Sequence, residues 1–216
     1  MKHNSQIFLV IISATLLSGC NSATYKSTSS NEYWIRGIQG NIPRHGLTLL
    51  NLKAFQQTKD YTCGPAVVLS LLRFYGRNGE ETTLAKAMST NDKIGTTPEN
   101  MARWLQNNGF IVNWGEHGSL KMIQKNLSKN IPTLIEWSDW GGHWAIAVGY
   151  DTRDTPSIDD DVIIFADPSD IHDDTPDGIT WFNAQRFDHM WYDALLFGKL
   201  MEKVFITAIL GPPQNN

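Results

Sequence analysis

Twenty residues in the first half of the chain, 57–76, constrain the fold more than any others. They contain Thr62-Cys63-Gly64-Pro65, followed by an apolar run through Val67, Val68, Leu69, Leu71 and Leu72 that stops at Gly76. Proline is tolerated in the first turn of a helix, where its missing N–H has no intrahelical partner to lose, and glycine is favoured just past the last turn. The stretch therefore predicts a helix over 64–75, about three turns long, with Cys63 at its N-terminal tip. Unpaired N–H groups and the helix dipole favour negative charge at such a tip, so a thiol there is expected to ionise more readily than a free one. A lone cysteine also serves as an ordinary buried core residue. The rest of the chain has to decide between the two.

The chain has 216 residues, 41% apolar and 19% charged, which suits one globular domain with a proper core. Its net charge is −4 and it has no basic cluster, which excludes nucleic acid as the main partner. Residues 1–19 read separately. Lys2 and His3 precede an apolar run over 7–17, broken only by Ser13 and Thr15. That is the length of a signal-peptide core and too short for a membrane span. The run ends in Leu17-Ser18-Gly19-Cys20, which resembles the lipobox of bacterial lipoproteins, where the cysteine is diacylated and becomes the new N-terminus. The resemblance implies lipidation of Cys20. Because Asn21 and not aspartate follows, it also implies an outer-membrane anchor facing the periplasm. Two acyl chains anchor stably, since each buried methylene contributes about 0.8 kcal/mol. An ordinary cleaved signal with a chance cysteine is the alternative.

Residues 20–31, rich in Ser, Thr and Asn, read as a flexible tether, and 32–216 as the folded domain. With Cys20 acylated, Cys63 has no disulfide partner in the chain. An unpaired thiol in an oxidising compartment is a liability unless it is buried or used.

Around Leu47, Leu49 and Leu50 an edge strand or a strap is expected, and a helix around 83–88. Thr97-Pro98-Glu99 supplies a cap, a first-turn proline and a first-turn acid. Met101, Trp104 and Leu105 then recur at helical spacing before Gly109. A short strand is expected over 110–112. Ser119 caps a further helix, with Leu120, Ile123 and Leu127 on one face. From 132 onward the period changes. Strands are expected over 132–137, 143–151, 161–166 and 204–210, with a short helix over 183–191. Helices first and strands afterwards predict an α+β domain with an antiparallel sheet.

On the strand 143–151, alternation places His143, Ala145, Ala147 and Gly149 on one face. Three small residues beyond a histidine leave a shallow trough, in which the helix 64–75 could lie and bring Cys63 against the imidazole; a core histidine at a strand start is the ordinary reading. Gly141 and Gly142 give the backbone freedom to admit a substrate. With them, Trp140 and Trp144 are candidates for a substrate cleft, core packing being the other use of such tryptophans. Asp167 ends the next strand. If the two strands pair, Asp167 lies near His143 and accepts a hydrogen bond from its second ring nitrogen, fixing the tautomer. A turn-forming Asp-Pro is the ordinary reading. Gln57, six residues before Cys63, offers an amide that with the Cys63 N–H forms an oxyanion hole; Gln56 is the neighbour to exclude.

The acidic region from Asp159 to Asp177 is read as a solvated loop. Asp173-x-Thr175-x-Asp177-Gly178 begins like a calcium loop, but Ala184 stands at the closing position where glutamate is needed. No metal and no cofactor are expected.

Taken together, Gln57, Cys63-Gly64-Pro65-Ala66, His143 within Gly-Gly-His-Trp-Ala-Ile-Ala-Val-Gly-Tyr-Asp, and Asp167-Pro168 resemble the bacteriocin-processing cysteine peptidases, family thirty-nine. The resemblance is to the stand-alone "-like" branch more than to the peptidase domains fused to ABC exporters. Gly95-Thr96-Thr97-Pro98-Glu99-Asn100, the Trp104 helix and Gly109-Phe110 also resemble that branch, so the likeness runs from about 57 to 191. It implies a papain-like fold, a thiolate–imidazolium pair from Cys63 and His143, Asp167 orienting the histidine, and Gln57 in the oxyanion hole. Two features depart from the exporter branch. The sequence holds no transporter or ATPase segment, so double-glycine leader specificity does not carry over, and Thr62 stands where that branch usually has aspartate. The expected function is an envelope-anchored peptidase acting on a peptide or protein of the cell envelope. Its rivals are a transpeptidase or amidase of the same clan, and a catalytically silent binding lipoprotein that reuses the groove.

Overall fold

Every strand pairing in the computed structural model, which describes residues 45–138, 142–170, 177–193 and 198–212, is antiparallel. The signal segment, Cys20 and the tether lie outside the described residues, as do Trp140, Gly141 and residues 171–176 of the acidic region. The main sheet contains β1 (Leu47–Leu49), β2 (Phe110–Gly115), β3 (Thr133–Trp137), β4 (His143–Asp151), β5 (Val162–Ala166), β6 (Ile179–Asn183) and β9 (Val204–Leu210). Its order is β2-β9-β3-β4-β5-β6, with β1 paired to the last residues of β4. Two short strands, β7 (Tyr192–Asp193) and β8 (Met201–Glu202), pair separately. Five helices are described: α1 (Cys63–Phe74), α2 (Glu81–Ala87), α3 (Pro98–Asn107), α4 (Leu120–Leu127) and α5 (Ala184–Met190). The α+β class and antiparallel sheet expected from the sequence are what the chain forms.

Local chemistry explains the element ends. Thr97 Oγ1 accepts from the Asn100 N–H at 3.3 Å, and Ser119 Oγ from the Met122 N–H at 3.2 Å, so both predicted caps open their helices. Helix α1 is buried continuously from Cys63 to Leu72. A helix that is apolar on all sides belongs inside a fold. All residues of β3, β4 and β5 are likewise buried, which requires cover on both faces of the sheet.

Strand register shows what supplies that cover. Trp137 sits opposite His143, and Ala147 opposite Phe165, so these four share a face. On it, the Trp137 and Phe165 rings lie 5.5 Å apart, and Phe187 of α5 packs 4.9 Å from Phe165. Helix α4 joins this face through Asn126, which donates to Thr133 Oγ1 at 3.1 Å. The opposite face carries Trp144, whose indole N–H donates to the Thr96 carbonyl at 2.9 Å. Thr96 abuts Gly64, so α1 and α3 lie on the Trp144 side.

This corrects one expectation. The trough beside Ala145 and Ala147 does not hold α1; the aromatic rings of Trp137, Phe165 and Phe187 occupy that face. Small residues admit large rings as readily as a helix, and alternation alone does not choose between them. Cys63 instead meets His143 where α1 and β4 both begin. Three strands were also missed: β6, β7 and β8, the last two being only two residues long each.

The meeting of α1 with Thr96 is tight. A Cβ on Gly64 would stand 2.4 Å from Thr96 Oγ1 and 2.6 Å from Thr96 Cβ. Gly64→Ala is therefore expected to force α1 outward and to destabilise by about 1–3 kcal/mol, as overpacking does. A drop in the thermal midpoint checks this, and an unchanged midpoint would show that Thr96 yields freely.

Candidate active site

Cys63 opens α1 and is 6% exposed. The preceding Thr62 does not cap the helix. Its hydroxyl donates to the Lys59 carbonyl at 2.9 Å and accepts from the Lys59 N–H at 3.2 Å, closing a turn that leads into α1. Among the described residues no side-chain cap is seen on the first turn, and Pro65 has no N–H. The Cys63 and Gly64 N–H groups are thus uncapped at the helix tip, where donors for a developing anion are most useful.

β4 begins with His143, and β5 is followed by Asp167, as the sequence reading required. Pairing of Ile146 with Ala166 brings their ends together. His143 Nε2 lies 2.8 Å from Asp167 Oδ1. The same oxygen accepts the Ser169 N–H at 2.9 Å and the Asp170 N–H at 3.2 Å. Asp167 is 0% exposed. Burial pushes its carboxyl up, but the His143 hydrogen bond and charge and the Ser169 N–H hold it well below the usual carboxylate range. At His143 burial acts in the opposite sense, pulling the imidazole down. Hydrogen bonds and charges from Asp167 and Cys63 outweigh it and raise the imidazole to about 10. Since Nε2 is engaged by Asp167, the nitrogen in hydrogen-bonding contact with Cys63 is Nδ1. Trp137 braces the ring from the side, edge to face at 5.1 Å.

Gln57 lies on the loop that leads into α1. Its own N–H donates to the Pro168 carbonyl at 2.9 Å, and Gln56 Nε2 donates to the Asp167 carbonyl at 3.0 Å. Two motifs over a hundred residues apart in sequence are thereby joined. Gln56 thus supports the Asp167 backbone, whereas the half-buried Gln57 side chain donates from Nε2 to the Lys59 carbonyl at 2.9 Å and has a second N–H. Glu81, at the start of α2, secures this loop: Oε1 accepts the Thr58 N–H at 3.0 Å and Oε2 the Thr58 hydroxyl at 2.6 Å. Sequence reasoning missed Glu81, because an acid in a first helical turn is ordinary and its partner lies in another segment.

The cleft candidates separate. Gly142 has φ +95°, a conformation that favours glycine, directly before His143. Trp144 is 2% exposed with its indole bonded to Thr96, so the structure places it in the core and not along a cleft. Trp140 and Gly141 lie outside the described residues. In the acidic region, Asp170 and Asp177 serve the backbone: Oδ2 of Asp170 accepts the Gly178 N–H at 2.6 Å, and Oδ1 of Asp177 the Ile179 N–H at 3.0 Å. No cluster of three or more metal-ligating side chains occurs among the described residues. A depression of about 510 Å³, lined by Asp188, His189, Trp191, Tyr192, Leu200, Glu202 and Lys203, includes none of Cys63, His143, Asp167 or Gln57.

A central helix with a cysteine at its tip, set against an antiparallel sheet that presents histidine and aspartate at adjoining strand ends, defines the papain-like cysteine peptidase fold. The chain belongs to the Peptidase_C39 like family, whose model matches residues 49–194. Among solved structures it is similar to the peptidase domain of Streptococcus ComA, a bifunctional ABC transporter involved in quorum sensing. That match has 19% identity and a TM-score of 0.53, and covers 76% of this chain and 100% of that one. It is similar also to a putative C39-like peptidase from Bacillus anthracis, at 13% identity and a TM-score of 0.54, covering 77% of this chain and 99% of that one. A double glycine motif protease from an AMS/PCAT transporter, in complex with the leader peptide, matches at 13% identity and a TM-score of 0.51, covering 74% and 93%. The curated proteins offer no match. No helix among the described residues is long and apolar enough to cross a membrane.

Proposed function

We propose that this protein is an envelope-anchored cysteine peptidase that cleaves a peptide bond through Cys63, His143, Asp167 and Gln57. The observation that carries the reading is His143 itself: one ring nitrogen faces the thiol and the other is held by a buried carboxylate. In this mechanism the Cys63 sulfur attacks the amide carbon, forming a C–S bond, and the carbonyl electrons move onto oxygen. The Cys63 N–H and the second Gln57 N–H hold that oxyanion. His143 gives its Nδ1 proton to the leaving nitrogen, the C–N bond breaks, and an acyl-enzyme remains. Water then loses a proton to His143 and attacks the acyl carbon, and the thiolate departs. Asp167 stabilises the imidazolium throughout without itself taking the proton.

Family membership and fold support a cysteine peptidase. A relative of this fold held with its leader peptide supports a peptide as the substrate class. The lipobox-like Leu17-Ser18-Gly19-Cys20 supports acylation of Cys20 and an anchor in the bacterial envelope, facing the periplasm.

The test is to incubate the full chain, or its Cys63→Ser variant, with envelope proteins and to map new N-termini by mass spectrometry. Termini that appear only with the native thiol are expected. None at all would favour the silent binding lipoprotein, and acyl fragments joined to an added amine would favour a transpeptidase.

A further inference from the structure

One charged side chain beside the site has no part in the proposed chemistry. Glu136 is 1% exposed, on the fully buried β3. Register sets it opposite Trp144 of β4 and Val204 of β9. No hydrogen-bond donor reaches either of its carboxyl oxygens among the described residues. The ionisable groups that face it are Asp193 of β7, whose side chain is in hydrogen-bonding contact, Cys63 of α1 and His143 of β4. Asp193 is 0% exposed. The end of β3 is held to β7 by the Ser138 N–H, which donates to the Tyr192 carbonyl at 2.7 Å. Two buried carboxyls in contact, one of them reached by no donor, do not both ionise; the contact needs a proton between them.

We infer that Glu136 is a positioning residue: as a neutral carboxylic acid it donates a hydrogen bond to Asp193, tying β3 to β7 without setting a second anion beside the Cys63 thiolate. The inference rests on the reading of Cys63 and His143 as the reacting pair. β3 also carries Trp137, which braces His143, so the tie steadies the imidazole from behind. Burial is the largest influence on Glu136, followed by the Asp193 hydrogen bond and charge and then by Cys63; His143 opposes them, and the carboxyl is pushed up to about 10. A carboxyl raised in the folded state stabilises the fold fully below its unfolded value near 4.3, and that stabilisation is lost as pH rises towards the folded value. Between pH 5 and 9 the native chain should therefore lose thermal midpoint relative to Glu136→Gln, whose amide cannot ionise.

The deciding experiment is infrared spectroscopy of the full chain at pH 7, together with the alkylation rate of Cys63. The carbonyl band of a protonated carboxylic acid is expected in the native protein and absent in Glu136→Gln. That variant should alkylate within about twofold of the native rate, since the amide reproduces a neutral donor. In Asp193→Asn the asparagine amide can donate to Glu136, which then ionises; alkylation should slow several-fold and recover in the double variant. The inference is overturned if the native protein lacks the band, if the band survives in Glu136→Gln, or if that variant alkylates several-fold faster, which would mean an anion had stood beside the thiol. Should Glu136→Gln not fold, the native band alone decides: it must persist at pH 8 and fade as the pH passes about 10. The infrared reading needs no peptidase activity. An inactive protein that keeps the band would sink the proposed function and leave the carboxyl pair standing.

Discussion

Replacing His143 with alanine is expected to slow alkylation of Cys63 by iodoacetamide at pH 6 by about two orders of magnitude. Only the thiolate reacts, and about 0.3% of an ordinary thiol with a pKa near 8.5 is ionised at that pH. In the native protein the imidazole is raised to about 10 by groups that outweigh its burial, so it carries a positive charge against the thiol throughout the neutral range. On the proposed reading, that charge is what makes the thiolate the attacking form, and the first turn of α1 adds to it. Without the imidazolium, the helix tip alone contributes a fraction of the effect, because a helix terminus is worth only about 0.3–1 kcal/mol at an ordinary site. Rates measured from pH 5 to 9 check this. A native rate that is slow at pH 6 and unchanged in the variant would remove the ion pair from the mechanism and with it the peptidase reading.

The second large effect is expected at Asp167. Asp167→Ala takes away the buried acceptor of His143 Nε2, and burial then pulls the imidazole down against a weaker opposition that includes Cys63. Alkylation at pH 6 should fall more than tenfold. The fold should also weaken by about 3–5 kcal/mol, the usual cost of removing one partner of a buried pair. For a chain of this length that corresponds to a thermal midpoint lower by roughly 10 °C. Asp167→Asn keeps an acceptor oxygen and should fall between the two.

Stability of the native protein should follow pH with a definite sign. Asp167 is depressed, so its contribution is present above its unfolded value near 3.9 and is lost as pH falls. His143 is raised, so its contribution is complete below about 6.5 and is lost as pH rises towards 10. The dyad therefore stabilises most between about pH 4 and 6.5, and Asp167→Ala should flatten both limbs. A native midpoint that climbs from pH 6.5 to 9 would contradict the assignment.

These expectations concern residues of very different visibility. Cys63 could be read from sequence because proline, an apolar run and glycine are local signals that place a helix start within a residue or two. The Thr97 and Ser119 caps were visible for the same reason, since a side-chain oxygen and an N–H three residues on are neighbours in the chain. His143 and Asp167 emerged from strand alternation and a strand end, and the β4–β5 pairing then brought them to 2.8 Å. Other features were out of reach. Glu81 is a plain first-turn acid until Thr58 is folded against it, and Glu136 is a polar residue in an apolar strand until Asp193 arrives from β7. Trp144 read as either a cleft or a core residue, and its bond to Thr96 places it in the core.

By itself, then, the sequence determined where the helices and the central strands lie, that the domain is α+β, and which thiol, imidazole, carboxylate and amide merit attention. The helices, the strands, the thiol and the imidazole rest on periodicity and capping, which act over a few residues; the amide rests on its place six residues before Cys63 and on the family resemblance. Only the tertiary structure decided which sheet face α1 covers, which ring nitrogen meets the thiol, and which buried carboxyls face one another. These depend on groups far apart in the chain, and their energies exist only once folding has excluded water and brought the partners into contact.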